Sequence, residues 1–265
     1  MQRFIKGISV YDYGDPRDLP IVFIHGFAFS AAMWEHQVAA LSKRYYCVTY
    51  DVRGLGRSEI GDGQYTMEMF ADDLFFVIES LELDRPVVVG LSMGGYIALR
   101  AVERKQELFR ALVLCDTKSE ADDDAGKLAR AQAIKSINRD GMKSYAPFLV
   151  SLCFSADTAE KRAELYRQAI DEVIGQNPIG VKGCLLAIAV RTDTTAGLSK
   201  IDVPTLIVVG ENDALTPPSL MRSMKDKINK AEFAVISDTG HMAPLENPLA
   251  VNQVLESFLA NRVSA

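Results

Sequence analysis

Short apolar runs alternate along the chain with segments whose apolar residues recur at helical spacing. The runs are bounded by Gly, Asp or Pro, which is typical of the buried strands of a parallel sheet. Six of them are Ile21–Ile24, Cys47–Tyr50, Val87–Val89, Ala111–Cys115, Leu206–Val209 and Phe233–Ile236. Residues Phe4–Tyr13 predict an additional amphipathic strand at the sheet edge. The pattern therefore predicts an α/β protein with a mostly parallel central sheet flanked by helices.

The alternation stops between about Ser119 and Asp193, where no clear strand occurs. Helical spacing predicts four helices in this stretch: Ala125–Ile137, Met142–Leu152, Thr158–Ile174 and Ile179–Ala189. A helical insertion of this kind is expected to cover the C-terminal edge of the strands, where open α/β sheets bind ligands. We therefore divide the chain into a core, residues 1–118 and 194–265, and a helical cap or lid, residues 119–193.

Composition narrows the class of partner. The chain has 265 residues and a net charge of −6, and an acidic surface disfavours nucleic acid. Four cysteines without C-x-x-C spacing and three histidines predict reduced thiols and no zinc cluster. Residues 1–10 lack the apolar middle region of a signal peptide, and no apolar run is long enough to cross a membrane. We expect a cytoplasmic protein that binds a small molecule, with no membrane partner; the oligomeric state stays open.

One motif predicts a nucleophile. The segment Gly90-Leu91-Ser92-Met93-Gly94 follows the apolar run Pro86–Val89 and leads into a helical pattern. A G-x-S-x-G segment between a strand and a helix is typical of a serine exposed on a sharp turn. Gly90 and Gly94 lack a Cβ, so neighbouring backbone can approach the turn closely. We therefore predict that Ser92 is a catalytic nucleophile.

A serine hydroxyl needs a base, and the chain has three histidines. His241 lies in the loop after the last predicted strand, at the same sheet edge as the serine, so it is the preferred base. His25 ends a strand and is assigned a structural role, and His36 lies within a helix. Two aspartates follow strands at this edge, and we prefer Asp213 over Asp116 as the acid that orients the base. Either aspartate preserves the order serine, acid, histidine, so chain order does not separate them.

Acyl transfer also needs hydrogen-bond donors for the developing oxyanion. The backbone N–H of Met93 is one candidate, because the first N–H groups of a helix have no partner within it. The segment His25-Gly26-Phe27 follows the first buried run, and we choose the Phe27 N–H as the second donor. These two backbone groups form the predicted substrate-binding oxyanion hole.

The motifs occur together in an order that resembles α/β-hydrolase-fold proteins over nearly the whole chain. They are His25-Gly26-Phe27, Asp51–Ser58, Gly90–Gly95, Gly210–Asp213 and Gly240-His241. The resemblance implies an α/β-hydrolase fold with flanking helices and an inserted helical cap. It also implies that the Asp51–Ser58 loop is mainly structural.

Two further stretches, Leu114–Lys118 and Ala189–Asp193, resemble small, lidded, cofactor-free esterases and 3-oxoadipate enol-lactonases. This resemblance implies that no metal and no organic cofactor is needed. In the lactonases a basic cap residue would hold a carboxylate of the substrate. Arg191 is a candidate for that role, and the alternative is an ion pair between Arg191 and Asp193 at the junction of cap and core.

These residues predict a serine hydrolase that cleaves a small carboxylic ester or lactone through an acyl-enzyme on Ser92. Apolar residues of the predicted cap either line its pocket or pack within the cap: Phe148, Leu149, Leu152, Phe154, Leu185 and Leu186. Carbon–carbon bond hydrolases and perhydrolases use the same triad, and some proteins of this fold are small-molecule receptors with slow turnover. The triad does not separate these alternatives, so the physiological substrate stays open.

Overall fold

The computed structural model describes residues 1–263, and one sheet of eight strands forms its centre. The strands are β1 (Gln2–Ile5), β2 (Ile8–Tyr13), β3 (Pro20–Ile24), β4 (Tyr46–Tyr50), β5 (Val87–Leu91), β6 (Ala111–Cys115), β7 (Thr205–Gly210) and β8 (Ala231–Ile236). Their spatial order is β1-β2-β4-β3-β5-β6-β7-β8. The pairs β1–β2 and β2–β4 are antiparallel, and the other pairs are parallel. The predicted mostly parallel sheet is confirmed.

Helices connect and flank these strands. They are α1 (Glu35–Leu41), α2 (Met67–Ser80), α3 (Met93–Lys105), α4 (Asp124–Asp140), α5 (Met142–Cys153), α6 (Thr158–Lys161), α7 (Ala163–Ile174), α8 (Pro178–Ala189), α9 (Pro218–Lys227), α10 (Ala243–Glu246) and α11 (Pro248–Phe258). Helix α2 packs beside α3, α1 packs beside α11, and α9 lies against β7 and β8. No helix within residues 1–263 is long and apolar enough to cross a membrane.

Burial explains why the inner strands read as continuous apolar runs in the sequence. Every residue of β3, β4, β5, β6 and β7 is buried, because helices cover both faces of a parallel sheet. The edge strand β8 is half exposed. Parallel strands also bring their carboxyl ends to one edge of the sheet. The loops that follow β3, β5, β6, β7 and β8 therefore meet there.

Two predicted elements differ from the structure in detail. The single edge strand predicted over Phe4–Tyr13 is a hairpin of β1 and β2, because Lys6 and Gly7 form a turn with φ of 46° and 83°. The single helix predicted over Thr158–Ile174 is divided into α6 and α7 at Arg162, whose φ and ψ are −137° and 49°. The Arg162 guanidinium donates a hydrogen bond to a backbone carbonyl of the core, a tertiary contact that helical spacing does not reveal.

Helices α4 to α8, which we call the cap helices, fill the insertion between β6 and β7. Helix α8 lies directly on the core loop that follows β4. A Cβ at Gly180 would be only 1.7 Å from the carbonyl oxygen of Gly54, and one at Gly183 would be 2.4 Å from that of Gly63. Glycine at these positions lets the helix touch the loop backbone. The division into a core and a cap domain at residues 118/119 and 193/194 stays a prediction.

We predict that Gly180→Ala destabilises the protein by about 1–3 kcal/mol, because the added methyl group collides with backbone that cannot move aside easily. The matched control is Gly175→Ala, at the end of α7. Gly175 has an α-helical backbone, and a Cβ there would meet its nearest neighbours at 3.4 Å and 3.5 Å. Thermal unfolding should show a lowered Tm for the first variant alone. Equal Tm values for both variants would contradict the close packing of α8.

Candidate active site

Ser92 stands at a sharp turn between the end of β5 at Leu91 and the start of α3 at Met93. Its φ and ψ are 52° and −113°, a conformation that costs a non-glycine residue about 1–3 kcal/mol. The Ser92 N–H donates to the carbonyl of Cys115 at 3.0 Å, and the Thr117 hydroxyl donates to the Ser92 carbonyl at 2.8 Å. These bonds hold the strained turn in place.

Neighbouring backbone leaves no room for a side chain at the two glycines that flank this turn. A Cβ at Gly94 would lie 2.2 Å from the carbonyl oxygen of Ile24. A Cβ at Gly90 would lie 2.4 Å from the carbonyl oxygen of Gly94. The close approach that the sequence predicted for both glycines is present, and it allows the start of α3 to lie against the end of β3.

His241 and Asp213 form a buried pair on the loops after β8 and β7. The Nδ1 atom of His241 lies 2.8 Å from Oδ2 of Asp213. Asp213 also accepts hydrogen bonds from the N–H groups of Leu215 and Thr216, at 2.8 Å and 3.0 Å, and from the Thr216 hydroxyl at 2.5 Å. Burial alone would raise the pKa of Asp213, but the neighbouring His241 and these hydrogen bonds lower it to about 2. The carboxylate is therefore ionised at neutral pH.

Asp116, the rival acid, lies next to this pair, and its pKa is shifted in the opposite direction. One oxygen of Asp116 accepts the Gly210 N–H at 2.7 Å, and burial, followed by the charge of Asp213, raises its pKa well above the usual range. Atoms of Asp116, Asp213 and His241 lie within 4.8 Å of one another, a spacing that metal ligands also show. A metal ion would need Asp116 deprotonated and would compete with the hydrogen bond between Asp213 and His241. The chemistry of these three residues therefore favours hydrogen bonding among them over metal binding.

The other two histidines occupy different environments. His25 is fully buried, its Nε2 accepts the Val52 N–H at 2.8 Å, and its Nδ1 donates to the Gly26 carbonyl at 2.8 Å. Burial also lowers the pKa of His25. Both of its ring nitrogens are thus occupied by backbone groups, which fits the predicted structural role. His36 is half exposed on α1 beside Glu35.

Ser92 and His241 line one cavity of about 200 Å³. Its walls come from the core loops and from three of the cap helices. Its apolar lining comprises Phe27, Phe29, Leu91, Leu149, Ile188, Leu215 and Met242. Cys153 also faces the cavity, but burial raises the pKa of its thiol to about 12. A protonated thiol is a poor nucleophile, so Cys153 does not compete for the role predicted for Ser92.

The predicted oxyanion donors lie on the loop after β3 and at the first residue of α3. Phe27 lines it together with Ser92, and the following residue, Ala28, has a φ of 62° that bends the loop sharply. Met93 is buried as the first residue of α3, where the helix does not use its N–H. Their roles as oxyanion donors stay predictions.

The cap contributes to the cavity few of the apolar residues that the sequence pattern suggested. Of the six apolar cap residues considered, Leu149 lines the cavity. Phe148, Leu152 and Leu186 are exposed, whereas Phe154 and Leu185 are buried elsewhere in the packing. Helical spacing identifies an apolar face but not the direction in which the docked helix presents it.

Sequence reasoning missed three charged residues in the cavity wall: Lys118, Asp122 and Arg130. The side chain of Asp122 is 1% exposed and lies 3.0 Å from Nε of Arg130 and 3.6 Å from Nζ of Lys118. For Lys118 the sequence did contain a signal: it lies three residues after β6, at the carboxyl edge of the sheet where ligands bind.

Arg191 takes a role that differs from both sequence-based alternatives. Its guanidinium is buried, donates to Asp122 at 2.7 Å and does not line the cavity. The predicted ion pair with Asp193 is wrong, because the Asp193 carboxylate accepts the Thr195 N–H at 2.7 Å and Asp122 takes its place beside the arginine. Arg191 therefore neutralises Asp122 behind the cavity wall.

Comparison with known proteins identifies the family. Residues 20–248 match the family described as alpha/beta hydrolase fold, and the chain belongs to that family. A curated relative, 3-oxoadipate enol-lactonase 1 of Acinetobacter baylyi, is 27% identical over 254 residues, which cover 96% of this chain and 93% of the relative. The fold class and the family resemblance seen in the sequence are thus confirmed.

Two solved structures resemble this chain throughout. A thermophilic esterase from Thermogutta terrifontis, studied with malate bound, has a TM-score of 0.95 and 30% identity, with 100% of both chains covered. The enol-lactonase from Burkholderia xenovorans LB400 has a TM-score of 0.90 and 25% identity, with 98% of this chain and 100% of the lactonase covered.

We predict that Asp116→Asn raises Tm at pH 7 and leaves kcat within about twofold. Because burial raises the pKa of Asp116, the folded protein holds a proton that the unfolded chain releases above its ordinary pKa of 3.8. The contribution of Asp116 to the free energy of unfolding therefore falls as pH rises from about 4 towards its raised pKa. The decrease is about 1.4 kcal/mol per pH unit over that range. An asparagine resembles the neutral carboxyl without that cost.

Calorimetric scans of both proteins between pH 4 and pH 8 would check this, and the two Tm values should converge as pH falls. A variant that unfolds at lower temperature than the wild type at pH 7 and loses most of its kcat would contradict a neutral Asp116.

Proposed function

We propose that the protein is a serine hydrolase that cleaves a small carboxylic ester or lactone through an acyl-enzyme on Ser92. The observation that carries this proposal is that Ser92 and His241 line the same cavity. In addition, Nδ1 of His241 is hydrogen-bonded to the ionised carboxylate of Asp213. The chain is a hydrolase by family, and the relatives named above, an esterase and two enol-lactonases, support ester bonds as the target.

The proposed reaction proceeds in two steps. His241 takes the hydroxyl proton of Ser92 as its oxygen attacks the carbonyl carbon, and the Phe27 and Met93 N–H groups hold the oxyanion. The alcohol leaves with the proton from His241, and Ser92 keeps the acyl group. Water, deprotonated by His241, then attacks the acyl carbon, releases the acid and restores the Ser92 hydroxyl. Asp213 holds the imidazole orientation and stabilises the cation formed in each step.

The charges of the cavity wall favour a substrate that carries a negative charge. Lys118 and Arg130 are 25% and 31% exposed, whereas their shared partner Asp122 is almost fully buried and also binds Arg191. The single carboxylate of Asp122 thus faces three positively charged side chains. Lys118 and Arg130 therefore give the small, partly apolar cavity an excess of positive charge. We therefore propose a small ester or lactone with a carboxylate near the scissile bond. The malate bound to the thermophilic esterase is an anion of this size.

We predict that Ser92→Ala lowers kcat for p-nitrophenyl acetate by at least about 10³-fold, because the acyl-enzyme cannot form. The Tm should stay within about 2 °C of the wild-type value, since the hydroxyl is not needed for packing. Steady-state release of p-nitrophenolate together with thermal unfolding checks both statements.

A variant that retains most of the wild-type turnover would refute Ser92 as nucleophile. A wild type that binds ester but turns over once would instead favour a receptor, and a wild type inactive on a full series of esters would favour carbon–carbon bond hydrolysis.

We predict that Arg130→Gln and Lys118→Gln each reduce the preference for an anionic ester by about tenfold or more, because a charge-assisted hydrogen bond contributes about 1.5–3 kcal/mol. The test compares kcat/KM for mono-p-nitrophenyl succinate with that for neutral p-nitrophenyl butyrate. Arg139→Gln is the matched control, because Arg139 lies on the same helix, α4, but is exposed and paired with Asp140. An unchanged ratio in both cavity variants would remove the proposed anion preference.

A further inference from the structure

The side chain of Glu246, at the end of α10, is 3% exposed and makes three hydrogen bonds that the reaction itself does not require. Its Oε1 atom accepts the N–H of Gly240 at 2.7 Å. Its Oε2 atom accepts the N–H of Ser155 at 3.0 Å and the hydroxyl of Thr158. One buried carboxylate therefore joins two segments of the chain through different oxygens.

The first of these segments carries His241. Gly240 immediately precedes it and lies in direct contact with backbone on both sides. A Cβ at Gly240 would be 2.4 Å from the nitrogen of Ser155, and a Cβ at Gly210 would be 2.0 Å from the carbonyl oxygen of Gly240. The loop that holds His241 is thus enclosed between the end of β7 and the cap.

The second segment connects α5 to α6 and continues from the cavity wall. Cys153, the last residue of α5, lines the cavity two residues before Ser155. Thr158 begins α6, and the Arg162 guanidinium donates to the backbone carbonyl of Glu246 from the end of the same short helix. The cap and the histidine loop therefore meet at one residue.

We propose that Glu246 is a positioning residue that couples the cap to His241, so that the cavity wall and the general base keep one fixed relation. A carboxylate can accept hydrogen bonds at both oxygens, and bonds from N–H groups to an ionised acceptor are stronger than neutral ones. Because these donors are buried, loss of their acceptor leaves them unsatisfied. This inference rests on the proposed function in one respect, the role of His241 as base.

The carboxylate cannot be replaced by an amide without loss of one side of this connection. A glutamine at position 246 offers one acceptor oxygen and one NH₂ donor. If the oxygen faces Gly240, the NH₂ group opposes the N–H of Ser155; if it faces Ser155, the NH₂ group opposes that of Gly240. Glu246→Gln should therefore keep the shape of the side chain and uncouple the two segments.

The test combines kinetics with hydrogen–deuterium exchange on the full-length protein. In Glu246→Gln we expect kcat for p-nitrophenyl acetate to fall about tenfold with KM changed less than twofold, well below the Tm of every variant. Asp73→Asn is the control for loss of a buried, ion-paired carboxylate outside the cavity: Asp73 binds Arg53 at 2.5 Å. It should lower Tm while kcat stays within twofold.

A second variant, Thr158→Val, keeps the test decisive if Glu246→Gln does not fold. It removes only a cap hydroxyl, and Thr158 makes its hydrogen bond to Glu246 rather than to the histidine loop. We expect faster amide exchange in peptides that span residues 239–243 as well as in those that span 155–160, and a decrease of kcat of about threefold or more.

Faster exchange confined to residues 155–160, with kcat unchanged, would overturn the proposed coupling. The exchange measurement does not depend on turnover. If Ser92→Ala shows that the proposed function is wrong, joint loosening of the two segments still supports the coupling, and its absence still refutes it.

Discussion

The strained turn at Ser92 constrains the whole carboxyl edge of the sheet. The side chain is held there at positive φ because Cys115, at the end of β6, accepts the Ser92 N–H and the Thr117 hydroxyl donates to the Ser92 carbonyl. The same pattern continues across the sheet: the Asp116 N–H donates to the end of β7, and the Asn212 N–H donates to Thr239 on the histidine loop. A series of backbone hydrogen bonds thus fixes the segments that carry Ser92, Asp213 and His241 relative to one another.

The cap is joined to loops at this edge of the sheet by hydrogen bonds of polar side chains. Glu172 of α7 accepts hydrogen bonds from the N–H and hydroxyl of Ser30, just after the loop of Phe27. Gln176 accepts the N–H of Gly56 on the loop after β4. Glu246 of the core in turn accepts hydrogen bonds from Ser155 and Thr158 of the cap.

The sequence was sufficient wherever local pattern and chain position decide the outcome. It predicted the sheet, the family and the turn at Ser92, and it placed His241 at the correct edge. It preferred Asp213 over Asp116, although both follow strands and chain order does not separate them; the structure pairs His241 with Asp213 through tertiary hydrogen bonds. It likewise missed the role of Asp122, because burial and partners there depend on how the cap helices dock.

The most direct test of this account is covalent labelling with a p-nitrophenyl phosphonate ester. Attack by the Ser92 oxygen on phosphorus would release p-nitrophenolate and leave the phosphonyl group on the serine. We predict one equivalent of p-nitrophenolate per chain and, by peptide mass spectrometry, one adduct located on Ser92. Modification of a different residue, or an unmodified protein that still hydrolyses esters at its full rate after the treatment, would contradict the central claim that Ser92 is the nucleophile.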